Sequence, residues 1–302
     1  MKKCIVALTI TLLWLFSFSA TSPNEHSNPT TQNGADLAAQ NPSATGTLPI
    51  SNSAVSRSND RGLQYGIPGT CPTCKTLYRE GYVLCSDESK KVPLWVEYHL
   101  TRAYLRAATE KRKYYKFQPD PDIAPGERAE NRDYRRSGYD KGHMCPAADE
   151  SRDPTTMREC FYLSNMCPQW PELNRHPWEK LEAKVRALAV KYGSIWVIVG
   201  PIFEKNASTG QYEPEKTLGP DQVWVPWGFY KIVIFQDNDQ LCALAFQYRN
   251  QDETFDIPSH EVTVKEVEQK TGLDFFSALP YNEKQGIETY KATEQEINTI
   301  LN

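Results

Sequence analysis

The 302 residues lack a strong charge of either sign: 34 Lys and Arg stand against 38 Asp and Glu, for a formal net charge of −4. That balance argues against a protein that coats nucleic acid by bulk charge, although it leaves room for a local basic groove. Apolar runs are short. The longest, Ile5 to Phe18, falls short of a comfortable bilayer span. Internal repeats are absent, so nothing points to a stacked-repeat array. Histidine is scarce at five residues, and a lone histidine is more often structural than catalytic, which is the reading for His26, His99, His176 and His260. Cys71-x-x-Cys74 with Cys85 lacks a nearby fourth ligand, so a structural disulfide is favoured over zinc.

What is present divides the chain. Lys2 and Lys3, the apolar run and small residues at Ser17, Ser19 and Ala20 read as an export signal over residues 1–20, implying a secreted or periplasmic protein with no stable membrane association after cleavage. Seven further cysteines would then meet an oxidising compartment, and the odd number leaves at least one thiol free or paired elsewhere. Residues 21–60 are rich in Ser, Thr, Asn, Pro and Ala, have no apolar periodicity and read as a flexible linker. A single folded domain is expected over 61–285, and a polar, loosely attached tail over 286–302.

Within the domain, Tyr82–Cys85 and Leu94–Leu100 read as a hairpin around SDESKK, and Trp224–Phe235 with Leu241–Tyr248 as a second around QDND. Tyr114–Phe117 looks extended, and Ser194–Val199 reads as a buried strand closed by Gly200-Pro201. Pro177 suits a first helical turn, after which Trp178, Leu181, Val185 and Leu188 recur at helical spacing. Val264–Gly272 is a short amphipathic helix ending at glycine. Antiparallel strands with few helices predict an α+β fold, a central antiparallel sheet flanked by helices.

Two stretches concentrate chemistry. Asp140, Lys141, Gly142 and His143 are consecutive; Asn165, Asn174, Glu182 and Arg186 follow downstream. Phosphodiester hydrolysis needs a base for water, positive charge on the phosphoryl oxygens and usually a divalent ion at the leaving oxygen. A histidine titrating near ~6.5 can take a proton from water at neutral pH. Gly142 would let a backbone or phosphate come close. Asn174, just before a helix, is by chemistry alone better read as a backbone cap, although an amide oxygen can also bind a hard ion such as Mg²⁺. Glu182 could hold that ion's waters. Lys141, Arg112 and Arg186 could bind phosphate, yet each alone reads as a surface cation. The basic residues crowded between Arg102 and Lys141 are interleaved with acids, so a solvated mixed-charge surface is equally open.

The spacing of these residues resembles the DNA/RNA non-specific endonucleases of the ββα-metal type, the Serratia nuclease and endonuclease G family. That family carries Asp-Arg-Gly-His, Ser-Asn-x-x-Pro-Gln and Leu-Asn-x-x-x-Trp-x-x-Leu-Glu. Here stand Asp140-Lys141-Gly142-His143, Ser164-Asn165-Met166-Cys167-Pro168-Gln169, and Leu173-Asn174 followed by Trp178 and Leu181-Glu182. Leu94–Thr101, Val199–Phe203 and Val262–Pro280 extend the likeness over most of residues 62–280.

The resemblance implies a Mg²⁺-dependent endonuclease, with Mn²⁺ or another divalent ion able to substitute, acting on DNA and RNA as monomer or homodimer. His143 would be the general base, Asn174 the protein ligand of the ion and Glu182 the holder of its waters. Asp140 would orient the site, Asn165 support it through hydrogen bonds, and Arg186, Lys141 and Arg112 supply cations. Products would carry 5′-phosphate and 3′-hydroxyl ends. Two departures stand out: Lys141 replaces the motif arginine, giving a less directional phosphate contact, and His176-Pro177 replaces a glycine, so the start of the helix is expected to differ in shape. Cys145 and Cys167 fall inside the motifs and invite a bracing disulfide. A catalytically inactive nucleic-acid-binding module of the same fold is the alternative, and a disulfide-rich secreted interaction domain a more distant one.

Overall fold

The computed structural model describes residues 63–302; the expected export signal (1–20) and linker (21–60) lie outside the described residues. Segments rich in β-branched and aromatic residues become strands. In chain order these are β1 (Cys74–Tyr78), β2 (Val83–Asp87), β3 (Val92–Thr101), β4 (Asp140–His143), β5 (Met166–Gln169), β6 (Ser194–Ile202), β7 (Glu204–Lys205), β8 (Tyr212–Glu213), β9 (Lys216–Leu218), β10 (Val223–Val225), β11 (Gly228–Asp237), β12 (Gln240–Arg249) and β13 (Glu261–Val262). Seven form one antiparallel sheet in the order β1-β2-β3-β6-β11-β12-β13. The fold is α+β, as expected.

Both expected hairpins form, with altered limits. β2 pairs β3 across a register shift between Cys85 and Ser86. β11 and β12 are joined by Asn238-Asp239, with φ of 49° and 64°. That left-handed geometry matches the strand twist, and Asn and Asp tolerate it. β11 begins only at Gly228, because Pro226 ends the separate short strand β10. β6 does not stop at Gly200 but runs to Ile202. Gly200 is needed there: a Cβ would sit 2.4 Å from the Leu94 carbonyl oxygen. Tyr114–Phe117 forms no strand; a 3-10 turn occupies Arg112–Tyr114 instead.

Because strand side chains alternate between faces, the sheet divides the core in two. Val96, Tyr98, Val197, Val199, Phe229, Val233 and Phe246 face one side. Trp95, Ile198, Tyr230, Ile232 and Ile234 face the other. On the first face lies helix α3 (Glu179–Tyr192), following α1 (Arg102–Arg106) and α2 (Pro154–Cys160). The stripe read from sequence, Trp178, Leu181, Val185 and Leu188, is buried there. Each such side chain contributes roughly 1.5–3 kcal/mol by leaving water, so the helix that carries Glu182 and Arg186 is held firmly to the sheet. The second face is covered by α4 (Val264–Thr271), capped by Thr263 and Glu266 at its start and left-handed Gly272 at its end, and by α5 (Tyr281–Thr289).

The last residues differ from the loose polar tail that their composition suggests. Helix α6 (Glu294–Leu301) buries Ile297, Ile300 and Leu301. Lys184 Nζ donates to the Leu301 carbonyl at 3.2 Å and Lys191 Nζ to Thr299 at 2.9 Å, so cations of α3 satisfy the open carbonyls of α6. Three apolar residues among many polar ones suffice, because they share one helix face.

Glu97 of β3 is wholly buried, and neither carboxylate oxygen has a hydrogen-bond partner. Burial therefore pushes its pKa well up. A carboxyl with a raised folded pKa stabilises below its ordinary range, about 4.3, and loses that contribution as pH rises. Glu97→Gln is expected to flatten the decline of unfolding free energy between mildly acidic and alkaline pH, read by urea denaturation. An unchanged pH slope would mean that Glu97 meets water.

Candidate active site

The site is built on a small hairpin and the helix beside it. β4 pairs antiparallel with β5, Asp140 opposite Gln169, Gly142 opposite Cys167 and His143 opposite Met166. A Cβ on Gly142 would lie 2.2 Å from Gln169 Oε1 and 2.6 Å from Gln169 Cβ. The close approach that requires glycine is thus made by a neighbouring side chain, not by phosphate. Asn165 is fully buried: its Oδ1 accepts from Cys145 N at 2.9 Å, and its Nδ2 donates to the carbonyls of Cys145 and Cys160, both at 2.9 Å. It pins the backbone just past His143 and does not line the cleft.

Asp140 joins the two sequence stretches. Its Oδ2 accepts from Asn174 Nδ2 at 2.9 Å, and its two oxygens accept from Arg175 Nε and Nη2 at 2.8 and 2.7 Å. With its nitrogen committed to Asp140, the Asn174 amide keeps its oxygen for another partner; the residue caps no backbone at the helix start. Pro177 is not in a first α-helical turn. It sits inside a π-helical turn, Asn174–Trp178, which follows a short α-turn, Pro171–Leu173, and runs into α3. Proline has no N–H to give the carbonyl four residues back and its ring crowds that group, so the helix widens locally. This is the altered start that His176-Pro177 foreshadows.

One cleft of about 750 Å³ is lined by Asp140, Lys141, His143, Asn174, Glu182, Arg186 and Arg112 among others. His143 is 7% exposed, tilted against Phe117 at 5.4 Å and edge-on to Phe161 at 5.1 Å, and its Nε2 has no partner. Burial, assisted by the Arg112 charge, lowers its pKa to about 3, so the imidazole is neutral. Lys141 Nζ lies over the rings of Phe117 (5.1 Å) and Tyr134 (5.3 Å), and burial lowers its pKa. Burial pushes Glu182 up to about 7, against the pull of Lys231.

At the base of the cleft Glu182 and Arg186, both named from the sequence, join a charged cluster with two residues that sequence reasoning missed, Asp149 and Lys231. Arg186 Nη1 donates to Asp149 Oδ1 at 3.0 Å, and Tyr98 OH to Asp149 Oδ2 at 3.0 Å. Lys231 is wholly buried on β11, with Nζ 4.0 Å from Glu182 Oε1 and 4.7 Å over the Trp178 ring. Desolvation lowers its pKa, while Glu182 and Asp149 oppose that shift. A signal existed: a lysine standing alone in Phe229–Phe235, at a core-facing position of a strand, demands a buried counter-charge.

The cysteine expectation is partly corrected. Cys71 and Cys74 form a disulfide. Cys145 and Cys167 do not; both are free. Cys167 lies opposite Gly142 within the hairpin, whereas Cys145 is past the end of β4 and directs its Sγ to Glu150 Oε1 at 3.6 Å. Burial raises both thiols well above their ordinary range.

The donors at the cleft suit a hard divalent cation: an amide oxygen of Asn174 left over by its bond to Asp140, and the Glu182 carboxylate. Among the described residues, the acidic trio Glu268/Asp274/Glu288 lies outside the cleft, and Cys71 and Cys74 beside Asp87 are bound to each other in a disulfide. A cleft ion would therefore rely on few protein ligands and keep several waters, as Mg²⁺ does.

The sheet, the hairpin and the site helix define a nuclease of the ββα-metal class. Residues 61–282 match the DNA/RNA non-specific endonuclease family, and the chain belongs to that family of metal-dependent nucleases. "Nuclease 1, mitochondrial" of Schizosaccharomyces pombe is 35% identical over 234 residues, covering 74% of this chain and 72% of the relative. Human "Endonuclease G, mitochondrial" is 33% identical over 217 residues, covering 70% and 72%. The crystal structure of the EndoG/EndoGI complex, described as revealing the mechanism of EndoG inhibition, matches with a TM-score of 0.66 at 35% identity, over 72% of this chain and 91% of that one. These relatives overturn the secreted or periplasmic placement: their names point toward the mitochondrion, and the residues that suggested export lie outside those described.

Gly142→Ala tests the tightness of the hairpin. The Gln169 Cβ is tied to backbone and cannot rotate away, so β4 and β5 must separate. The expected loss is about 1–3 kcal/mol of stability in chemical denaturation. A variant as stable as the parent would show that the pair opens freely.

Proposed function

We propose that this protein is a Mg²⁺-dependent, sugar-non-specific endonuclease that hydrolyses phosphodiester bonds of DNA and RNA, leaving 5′-phosphate and 3′-hydroxyl ends. The observation that carries the reading is the convergence of a neutral histidine, a free amide oxygen, a carboxylate and three cations on one cleft.

His143 takes the proton from a water whose oxygen attacks phosphorus in line with the departing 3′-oxygen. That oxygen leaves with the bonding electron pair and is then protonated. A pKa of about 3 makes the buried imidazole a weak base in the free protein, and an incoming phosphodiester anion would raise its basicity by stabilising the imidazolium. Asn174 and Glu182 would hold a Mg²⁺ ion and its waters, supplying positive charge at the leaving oxygen. Lys141, Arg186 and Arg112 balance the remaining phosphoryl charge. Asp140 acts through Asn174 by fixing its amide, and Asn165 through the backbone beside His143. Asp149 restrains Arg186, and Lys231 supplies Glu182 with a buried counter-charge.

Recognition through phosphates rather than base edges predicts weak sequence preference and binding that weakens with salt. The decisive test is nicking of a plasmid by purified protein with Mg²⁺, with EDTA, and with His143→Ala. Chelation is expected to abolish cutting, and the variant to lose on the order of 10² to 10⁴ in rate. Chelator-sensitive cutting that survives in the variant would remove His143 as the base. Folded protein that never cuts either nucleic acid would leave a binding module.

A second expected outcome concerns affinity. Nucleic-acid binding in EDTA should fall linearly with salt on a log–log plot. Binding that is indifferent to salt would contradict the phosphate-contact reading.

A further inference from the structure

A turn at the edge of the cleft carries side chains that neither the fold nor the proposed chemistry uses in full. Lys111, Arg112, Lys113 and Lys116 are all exposed, and none of them has a carboxylate of the described residues within ion-pair distance. The adjacent acid, Glu110, is engaged elsewhere, accepting from Tyr115 OH at 2.5 Å. The turn is closed by Tyr114 N to the Lys111 carbonyl and Tyr115 N to the Arg112 carbonyl, both at 3.0 Å. Its two tyrosines part company. Tyr115 stacks inward on Phe161 with ring centroids 6.1 Å apart. Tyr114 is 71% exposed, and Lys113 Nζ lies 5.0 Å from its ring centroid. Glu110, Arg112 and Phe117 at the base of the turn line the cleft, so Tyr114 stands just outside it.

A single exposed aromatic is ordinary. One held on an anchored turn, among four unpaired cations and beside a cleft built for phosphodiesters, combines what an unpaired strand needs: charge for the backbone and a π-face for a base. In a duplex both faces of each internal base are already stacked, so such a ring is of use only where the strand is single or locally melted.

We propose that the turn Lys111–Lys116 is a base-stacking platform, with Tyr114 as its ring, that makes this protein favour unpaired over duplex nucleic acid. The inference rests on the nuclease reading for its substrate class. Lys111, Lys113 and Lys116 contribute charge to either form; Tyr114 supplies the discrimination.

The test measures binding of the intact protein, in EDTA, to a fluorescent mixed-sequence oligonucleotide and to the same oligonucleotide annealed to its complement. Tyr114→Ala is expected to lower the ratio of single-strand to duplex affinity about tenfold. Tyr114→Trp, which keeps a π-face, should retain the ratio, and both variants should melt at the parent's temperature. A ratio unchanged in a normally melting Tyr114→Ala protein overturns the platform, as does a ratio that Tyr114→Trp fails to retain. Turnover with Mg²⁺ is scored separately. Cutting without dependence of the ratio on Tyr114 removes the platform and keeps the nuclease; a Tyr114-dependent ratio without cutting keeps the platform and removes the nuclease.

Discussion

One carboxylate ties this molecule's site together. Asp140, on the same strand as His143, accepts hydrogen bonds from Asn174 and a bidentate pair from Arg175. Charge-assisted bonds of this kind are short and directional, so the hairpin and the start of the helix cannot shift independently. The bond also selects which end of the Asn174 amide remains free.

The other constraint is electrostatic and lies underneath. Asp149, Glu182, Arg186 and Lys231 are packed between helix and sheet, with Tyr98 as a further donor. Each charge alone would be costly to bury; together they offset one another and tolerate the low dielectric. Glu182 at about 7 and His143 at about 3 are both held toward their neutral forms by burial.

Much of this was legible in the chain. The apolar stripe of α3, the two long hairpins and the capped helix ending at Gly272 follow from periodicity and turn chemistry, which are local properties. So do the motif residues around His143 and Asn174, whose spacing matches the family. Errors gather where distant contacts decide. Pro177 reads as a helix opener, yet helix already precedes it and it lies inside a π-helical turn. Three apolar residues in a polar tail become a buried face only because α3 lies alongside them. Cys145 and Cys167 fall in two site motifs, yet both thiols stay free. Export was inferred from a segment outside the described residues, and relatives named as mitochondrial contradict it.

By itself the sequence determined the α+β class and the family, and it named the residues proposed for the chemistry, because residue type, spacing and alternation are written in one dimension. Tertiary structure alone decided that Gly142 makes room for Gln169, that the Asn174 amide turns to Asp140, and that Lys231 answers Glu182. Those pairs lie far apart in the chain. Their energies come from burial and close approach, which exist only once strands and helix are packed.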